Sequence, residues 1–254
     1  MAQAYGSEFA RLYDQQSTAF AEEAAPLIHQ FYVTQHPASA RGRKLLDLCC
    51  GTGQLARFFL QRGFAVTGVD LSEPMLALAR QKTGDYEANG SATFLQADAS
   101  NFTVADSFDL VVSTYDALNH LPDLAALRGC FASVAAVTAV GACFIFDLNT
   151  RQGIRRWNGI MINESEYGLL IQRGIYDGGD RAYMLITGFI PRDEPGRFQR
   201  FEECVYNTIF DLKDVETLLL DTGWRKVQFA RLSCLDEPVA DPEREGRIFV
   251  IAAR

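Results

Sequence analysis

From residue 44 to residue 147, short unbroken apolar runs alternate with stretches whose apolar positions recur every three or four residues. Lys44–Leu48 is the first run. Gly51-Thr52-Gly53 follows it, then Gln54–Arg62, where Leu55, Phe58 and Phe59 fall at helical spacing and Gly63 ends the helix. Phe64–Val69 predicts a second strand closed by Asp70. Ser72 is placed to cap a helix with Glu73 and Pro74 in its first turn and Met75, Leu76, Leu78 and Ala79 on its apolar side. Further strands are expected over Ala92–Gln96, Phe108–Ser113 and Ala142–Asp147, with a helix over 123–139 and a break at Gly141 before the last. Strands that are apolar without alternation are buried on both faces, and helices between them imply a parallel sheet, an α/β doubly wound fold.

The pattern changes after Thr150. Tyr167–Ile175, Arg181–Ile190 and Phe198–Ile209 are extended and aromatic-rich, separated by Asp177-Gly178-Gly179-Asp180 and by a longer turn from Pro191 to Gly196. They predict an inserted antiparallel β-sheet over 151–206, a substrate lid or a subunit interface, although alternating aromatics also suit an ordinary antiparallel core. The frame resumes at 207–254 with a helix capped by Asp211 and ended by Gly223, then strands over Trp224–Leu232 and Arg247–Ala252. Residues 1–40 read as amphipathic helices lying over the sheet, so 1–150 with 207–254 form the expected core.

Composition narrows the classes. Of 254 residues 48% are hydrophobic and 22% charged, as in folded globular chains. A net charge of −8 speaks against nucleic acid and anionic membranes as partners, since the one basic run, Arg41-Gly42-Arg43-Lys44, is short. Within 151–206 eight Arg, no Lys and eight acids make the insert locally neutral. Cysteines 49, 50, 130, 143, 204 and 234 show no paired framework and suit reduced thiols of a cytoplasmic protein. The start, Met1-Ala2-Gln3-Ala4-Tyr5-Gly6, lacks the basic and apolar regions of a signal peptide. The uncharged stretch 129–146 is too rich in small residues for a membrane span. Histidines 29, 36 and 120 and the adjacent Cys49-Cys50 give no metal-ligand spacing.

The sharpest local feature is Leu45-Leu46-Asp47-Leu48-Cys49-Cys50-Gly51-Thr52-Gly53-Gln54-Leu55-Ala56, a strand, a glycine turn and a helix start. Its glycines also fit a loose dinucleotide fingerprint. Asp47 separates the ligands: a carboxylate at that strand end repels pyrophosphate and suits a cation, such as the ammonium and sulfonium of S-adenosylmethionine. Asp70, 17 residues beyond Gly53, closes the second strand where an acid can accept both ribose hydroxyls. Asp98 closes the third, facing an adenine amino group or serving only as a turn residue.

Leu45–Ala56, Val66–Ala79, Phe94–Asp98 and Phe108–Leu121 resemble the successive motifs of class I S-adenosylmethionine-dependent methyltransferases, especially small-molecule members such as sugar or glycine N-methyltransferases. The resemblance implies a Rossmann-like seven-stranded sheet with its last strand antiparallel. It also implies that Asp47, Cys49, Gly51 and Gly53 hold the methionine end, Asp70 the ribose, and Asp98 with Ala99 the adenine, with Leu71, Met75 and Ser113 completing the cofactor site. Tyr13 resembles a tyrosine that closes over the cofactor, though packing explains it equally. Cys49 stands where such chains have the first glycine of the loop.

Methyl transfer needs alignment, and a base only if the acceptor carries a proton. The segment Ser113-Thr114-Tyr115-Asp116-Ala117-Leu118-Asn119-His120 is the natural rim of that site. His120 is the candidate base, with Asn119 orienting the acceptor and Tyr115 beside them; the alternative is a lead into the next helix. The expectation is methyl transfer to an N or O atom of a small molecule by a monomer or homodimer. A non-catalytic S-adenosylmethionine-binding protein and an NAD-dependent oxidoreductase on a similar fold are the other readings.

Overall fold

The computed structural model describes residues 5–16, 19–36, 43–194 and 196–254. Met1–Ala4, the Arg41-Gly42 half of the basic run and Pro195 of the long turn lie outside them. The chain begins with helices α1 (Ser7–Gln16) and α2 (Ala19–Gln35). The alternating region forms β1 (Lys44–Leu48), α3 (Gln54–Leu60), β2 (Ala65–Asp70), α4 (Glu73–Ala88), β3 (Ala92–Gln96), β4 (Phe108–Ser113), α5 (Leu124–Ala136) and β5 (Thr138–Asn149). The closing part comprises α7 (Leu212–Asp221), β10 (Lys226–Arg231), β11 (Cys234–Pro238) and β12 (Arg247–Ala253), after the short α6 (Arg151–Ile154) and the second sheet described below.

The main sheet runs β11-β10-β12-β5-β4-β1-β2-β3. Its five strands from β3 to β5 are parallel, and β12 returns antiparallel beside β5. It is the expected seven strands plus one, because β11 adds an edge strand too short and polar to register in the sequence. Side-chain alternation divides β5 between two cores. Phe144, Phe146 and Leu148 pack with Phe131 of α5 and Trp224 on one face, while Cys143 and Ile145 pack with Phe59, Phe64 and Ile28 on the other. Burial on both faces explains why these strands show no polar alternation.

Several local expectations are met in detail. Ser72 Oγ accepts from the Met75 N–H at 3.3 Å, and Gly63 takes φ +76 after α3. Two differ. Gly141 does not interrupt β5; it takes φ +86 within it, near a register shift in the pairing with β4. Asp211 occupies the N-cap position of α7 without a side-chain cap bond; Glu243 Oε1 instead accepts the Leu212 N–H at 2.7 Å.

Between α6 and α7 the chain builds a separate antiparallel sheet, β6 (Gly159–Ser165), β7 (Gly168–Ile175), β8 (Arg181–Pro191) and β9 (Phe198–Thr208), in that order. The Asp177–Asp180 turn joins β7 to β8, with Asp177 Oδ1 accepting the Gly179 N–H at 3.0 Å. β6 carries no polar alternation and escaped the sequence reading. One face of this sheet packs Leu170, Ile186 and Val205 against Phe9 and Leu12 of α1 and Met75 of α4. Helix α1 therefore lies between α4 and the second sheet. No described helix is long and apolar enough to cross a membrane.

Candidate active site

The carboxyl edge of the main sheet, helix α1 and the inner face of the second sheet enclose a cavity of about 570 Å³. It lies where β1 is flanked by β2 on one side and β4 on the other, the switch point at which open α/β sheets bind ligands. Its volume falls within the range of roughly 300–1,000 Å³ typical of small-molecule pockets.

One wall comes from β1, β2 and β3. The Cys50 N–H donates to Val69 O at 3.0 Å and the Gly53 N–H to Cys50 O at 3.0 Å, curling the chain into a tight turn. Cys49, Gly51 and Gly53 take φ values of 60, 53 and 78, a region that glycine enters freely and cysteine does not. A Cβ on Gly53 would stand 2.9 Å from the Ala79 Cβ, so the close approach of turn and α4 needs glycine there. Asp70 bridges turn and helix: Oδ2 accepts the Gly51 N–H and Oδ1 the Ser72 N–H, both at 2.8 Å. Burial raises its pKa above the usual carboxylate value while these bonds oppose the shift. Leu71, Met75, Asp98 and Ala99 continue the wall. Asp98 Oδ1 accepts from both the Ser100 N–H and Oγ at 2.8 Å, so it is a turn residue and a cavity residue together.

Asp47, Gly53 and Ser113, expected at the cofactor, do not line this cavity. Asp47 is 2% exposed, one strand residue removed from the Cys49 that does. Its Oδ2 has no hydrogen-bond partner among the described residues, and burial pushes its pKa up to about 8 against one main-chain bond from Ala56. Ser113 is fully buried beside the Cys49 thiol.

The facing walls come from α1, the rim after β4 and the second sheet. Tyr5, Phe9 and Tyr13 line the cavity from α1 and the residues before it, with Tyr5 and Phe9 stacked at 4.4 Å. The helix is tied at both ends. Glu203 Oε1 of β9 accepts the Gly6 N–H at 2.8 Å, and Ser72 Oγ donates to Tyr5 O at 2.7 Å. Asp14 pairs with Lys82, whose ammonium also donates to Thr52 O at 2.9 Å. On the rim, Tyr115 and Asp116 both take left-handed φ, 68 and 49. Asp147 at the end of β5 holds them there, accepting the Tyr115 N–H at 2.6 Å and the Asp116 N–H at 2.9 Å. Arg247 of β12 pairs with Asp147, donates to Asp116 Oδ1 at 2.6 Å, and lies over the rings of Phe20 and Tyr115.

His120 reaches the cavity, its Nε2 at 3.4 Å from the Tyr5 hydroxyl and its ring hydrogen-bonded to the main chain of Tyr206. Burial lowers its pKa below the ordinary imidazole value, outweighing nearby Asp116. Asn119 corrects the sequence reading. It is fully buried, donates to Asn149 O at 3.2 Å and Thr208 O at 2.8 Å, and accepts the Asn149 N–H at 2.9 Å. It clamps the ends of β5 and β9 together and has no face on the cavity. Asp116, Asp147 and Arg247 were missed as site residues. Asp147 is a fourth strand-end acid and carried the same signal as the other three, whereas Arg247 lies 100 residues further on with no local mark.

Residues 45–141 match the methyltransferase domain family Methyltransf_25. Among curated proteins, 206 residues align at 29% identity with "Putative methyltransferase YqeM" of Bacillus subtilis, over 79% of this chain and 81% of that one. Among solved structures, an S-adenosylmethionine-dependent methyltransferase from Clostridium acetobutylicum superposes with a TM-score of 0.79 at 23% identity, over 96% of this chain and 97% of that one. The sugar N-methyltransferase KedS8 from Streptoalloteichus gives a TM-score of 0.74 at 20% identity, over 100% and 95%. The sequence match covers Asp47, Asp70, Asp98 and the glycine turn, and the structural match extends the likeness in fold to S-adenosylmethionine-dependent methyltransferases across nearly the whole chain.

Proposed function

We propose that the chain transfers a methyl group to an N or O atom of a small molecule seated between the β4 rim and the second sheet. The observation that carries this reading is a half-buried His120 on the β4 rim that lines the same cavity as Asp70 and Asp98. The similarity to KedS8, a sugar N-methyltransferase, is consistent with such an acceptor.

The residues present fit the cofactor. Asp70 keeps acceptor capacity for two ribose hydroxyls beyond its two main-chain bonds, and Asp98 keeps one oxygen for an adenine amino group. The unpartnered Oδ2 of Asp47 supplies negative charge behind the turn for a cationic methionine end. When bound, S-adenosylmethionine supplies an electrophilic methyl carbon on a sulfonium.

The remaining work belongs to the protein. Tyr5, Phe9 and Tyr13 keep water from one side of the reaction space, and the inner face of the second sheet holds the acceptor body. Holding the acceptor atom in line with the methyl carbon contributes several kcal/mol, within the roughly 7–11 kcal/mol available to ideal positioning. His120, its ring bonded to the Tyr206 main chain and its Nε2 against the Tyr5 hydroxyl, is the group that takes the acceptor's proton. Asp116, held by Arg247, stabilises the imidazolium that results.

Calorimetric titration with S-adenosylmethionine, S-adenosylhomocysteine and NADH tests the cofactor half. Micromolar binding of the first two and none of NADH is expected. Asp70→Ala should weaken both by about 1–3 kcal/mol, the cost of lost bonds to a charged acceptor; unchanged affinity removes Asp70 from the site. A screen of amine and phenol acceptors with His120→Gln as control tests the other half.

A further inference from the structure

The chain between α6 and β9 lines the acceptor side of the cavity, and its charges are distributed unevenly. Residues 151–206 hold eight Arg and eight acids, yet among the described residues Arg156 is the one charged residue that this segment contributes to the lining. Around it the lining is mainly apolar, with Trp157, Leu170, Met184, Ile186 and Val205. Arg156 is exposed and, among the described residues, its guanidinium makes no ion pair and no hydrogen bond. Other arginines nearby are committed. Arg151 donates to Gly179 O at 2.9 Å and to Asp180 Oδ1 at 2.7 Å. Arg247, the other arginine of the lining, pairs with Asp116 and Asp147.

The backbone that carries Arg156 is fixed from both sides. Upstream, the Thr150 hydroxyl accepts the Gly153 N–H at 3.3 Å to cap α6, and the Arg156 N–H donates to Gly153 O at 3.0 Å. Downstream, Asn158 Oδ1 accepts the Tyr176 N–H at 2.7 Å while Nδ2 donates to Tyr176 O at 2.8 Å, which staples the segment beside β7. That approach requires a bare backbone opposite, since a Cβ on Gly174 would stand 2.1 Å from Trp157 O. A cation on a fixed backbone loses less freedom on binding than one on a free loop.

We propose that the acceptor is a monocarboxylate with an apolar body, its carboxylate held by Arg156 and its body lying on Trp157, Met184 and Ile186. The planar fork of a guanidinium matches a carboxylate with two parallel hydrogen bonds. One guanidinium balances one charge. Asp116 shares the lining and already occupies Arg247, so a second negative charge on the acceptor, as in a phosphate ester, finds no partner. A polyhydroxylated body is disfavoured as well, because the apolar lining leaves its hydroxyls unbonded. An acceptor without an anion takes water from the guanidinium and returns nothing. This assignment rests on the methyl-transfer reading and adds the substrate class to it.

Calorimetry on the full chain saturated with S-adenosylhomocysteine reads acceptor binding without turnover. The probes are 4-aminophenylacetate and 4-hydroxyphenylacetate, each beside its primary amide, and 4-aminobenzylphosphonate as a dianion. Each acid should bind more tightly than its amide by about 10-fold or more, and more tightly than the phosphonate. Arg156→Gln should erase the difference between acid and amide, and Arg156→Lys should restore part of it. Arg155→Gln, at an exposed residue outside the lining, should leave the difference unchanged. All three variants should keep the thermal transition and the affinity for S-adenosylhomocysteine; if Arg156→Gln fails to fold, the ratio of acid to amide in the wild type still decides. A wild type that does not bind S-adenosylhomocysteine overturns the methyl-transfer reading and this assignment together. With S-adenosylhomocysteine bound, acids that do not bind or bind no better than their amides, or a difference that survives in Arg156→Gln, overturn the acceptor class alone. A preferred phosphonate overturns the single charge. Weaker S-adenosylhomocysteine binding in a folded Arg156→Gln gives the guanidinium to the carboxylate of the donor and overturns the assignment too.

Discussion

Cofactor binding should release a proton from Asp47. The carboxyl is buried, one oxygen has no partner, and its pKa is pushed up to about 8. At pH 6 about 1% of the ligand-free protein holds Asp47 ionised, and at pH 8 about half does. A cationic ligand that requires the carboxylate sees its apparent affinity scaled by that fraction, so it should bind about 50-fold more tightly at pH 8 than at pH 6. At pH 7 about 0.9 proton should leave per ligand bound. Calorimetry with S-adenosylhomocysteine in two buffers of different ionisation enthalpy measures the proton count directly. Asp70 titrates with the same sign. Asp47→Asn isolates the contribution of Asp47 by removing its share of both the pH slope and the buffer-dependent heat. The stability of the ligand-free protein moves the opposite way. Between the ordinary value of 3.8 and about 8 the folded form holds a proton that the unfolded chain has lost, so this group destabilises the fold as pH rises through that window. Equal affinity at pH 6 and pH 8, with heat independent of buffer, would refute the link between Asp47 and the cation.

Other outcomes follow from single contacts. Asn119→Ala strands the Asn149 N–H and two carbonyls in a dry interior at about 1–3 kcal/mol for a lost donor. At about 2–4 °C per kcal/mol in a chain of this size, calorimetry should show a melting temperature several degrees lower; an unchanged one means the clamp is not needed. Cys49→Gly removes about 1–2 kcal/mol of left-handed strain and adds up to about 1 kcal/mol of unfolded-state entropy. The variant should be as stable as the parent or slightly more so, and an unfolding free energy from denaturant titration that falls by more than about 1 kcal/mol contradicts the strain. Because burial lowers the His120 pKa, the base stays neutral as pH falls through 6.5, and the acid limb of kcat/KM should lie below that value. In His120→Gln that limb should vanish along with most of the rate; a limb that persists assigns the base elsewhere.

The main fold was legible because its strands are buried on both faces and its helices carry ordinary stop signals, as at Ser72 and Gly63. Of the three strand-end acids, Asp70 and Asp98 reach the cavity for the same reason: strand ends can be read from a sequence, and one sheet edge collects them. The facing wall of the cavity was less open to reading. Arg247 reaches Asp116 and Asp147 only through the antiparallel return of β12, a contact across 131 and 100 residues respectively. Asn119 shows the converse error. Its position on the rim was read correctly, but a side chain's direction depends on its surroundings, and two main-chain carbonyls turned it inward. β6 and β11 were missed because edge strands have little buried surface to impose a pattern on their residues.

The stretch shared with other methyltransferase domains, residues 45–141, contains Asp70, Asp98 and the glycine turn but not Asp147, Arg247, α1 or the second sheet. The wall built from β1, β2 and β3 and the wall built from α1 and the second sheet thus lie on different lengths of chain. The two halves meet at the strained pair Tyr115–Asp116, which belongs to the shared stretch but is held by residues outside it. On the proposed function, substitutions on the inner face of the second sheet should change acceptor choice while the affinity for S-adenosylhomocysteine stays constant. A change at Asp147 or Arg247 loosens the hinge between the halves and alters both. On the proposed function, redesign for a new acceptor belongs at the cavity-lining residues of the second sheet and leaves Asp147 and Arg247 untouched.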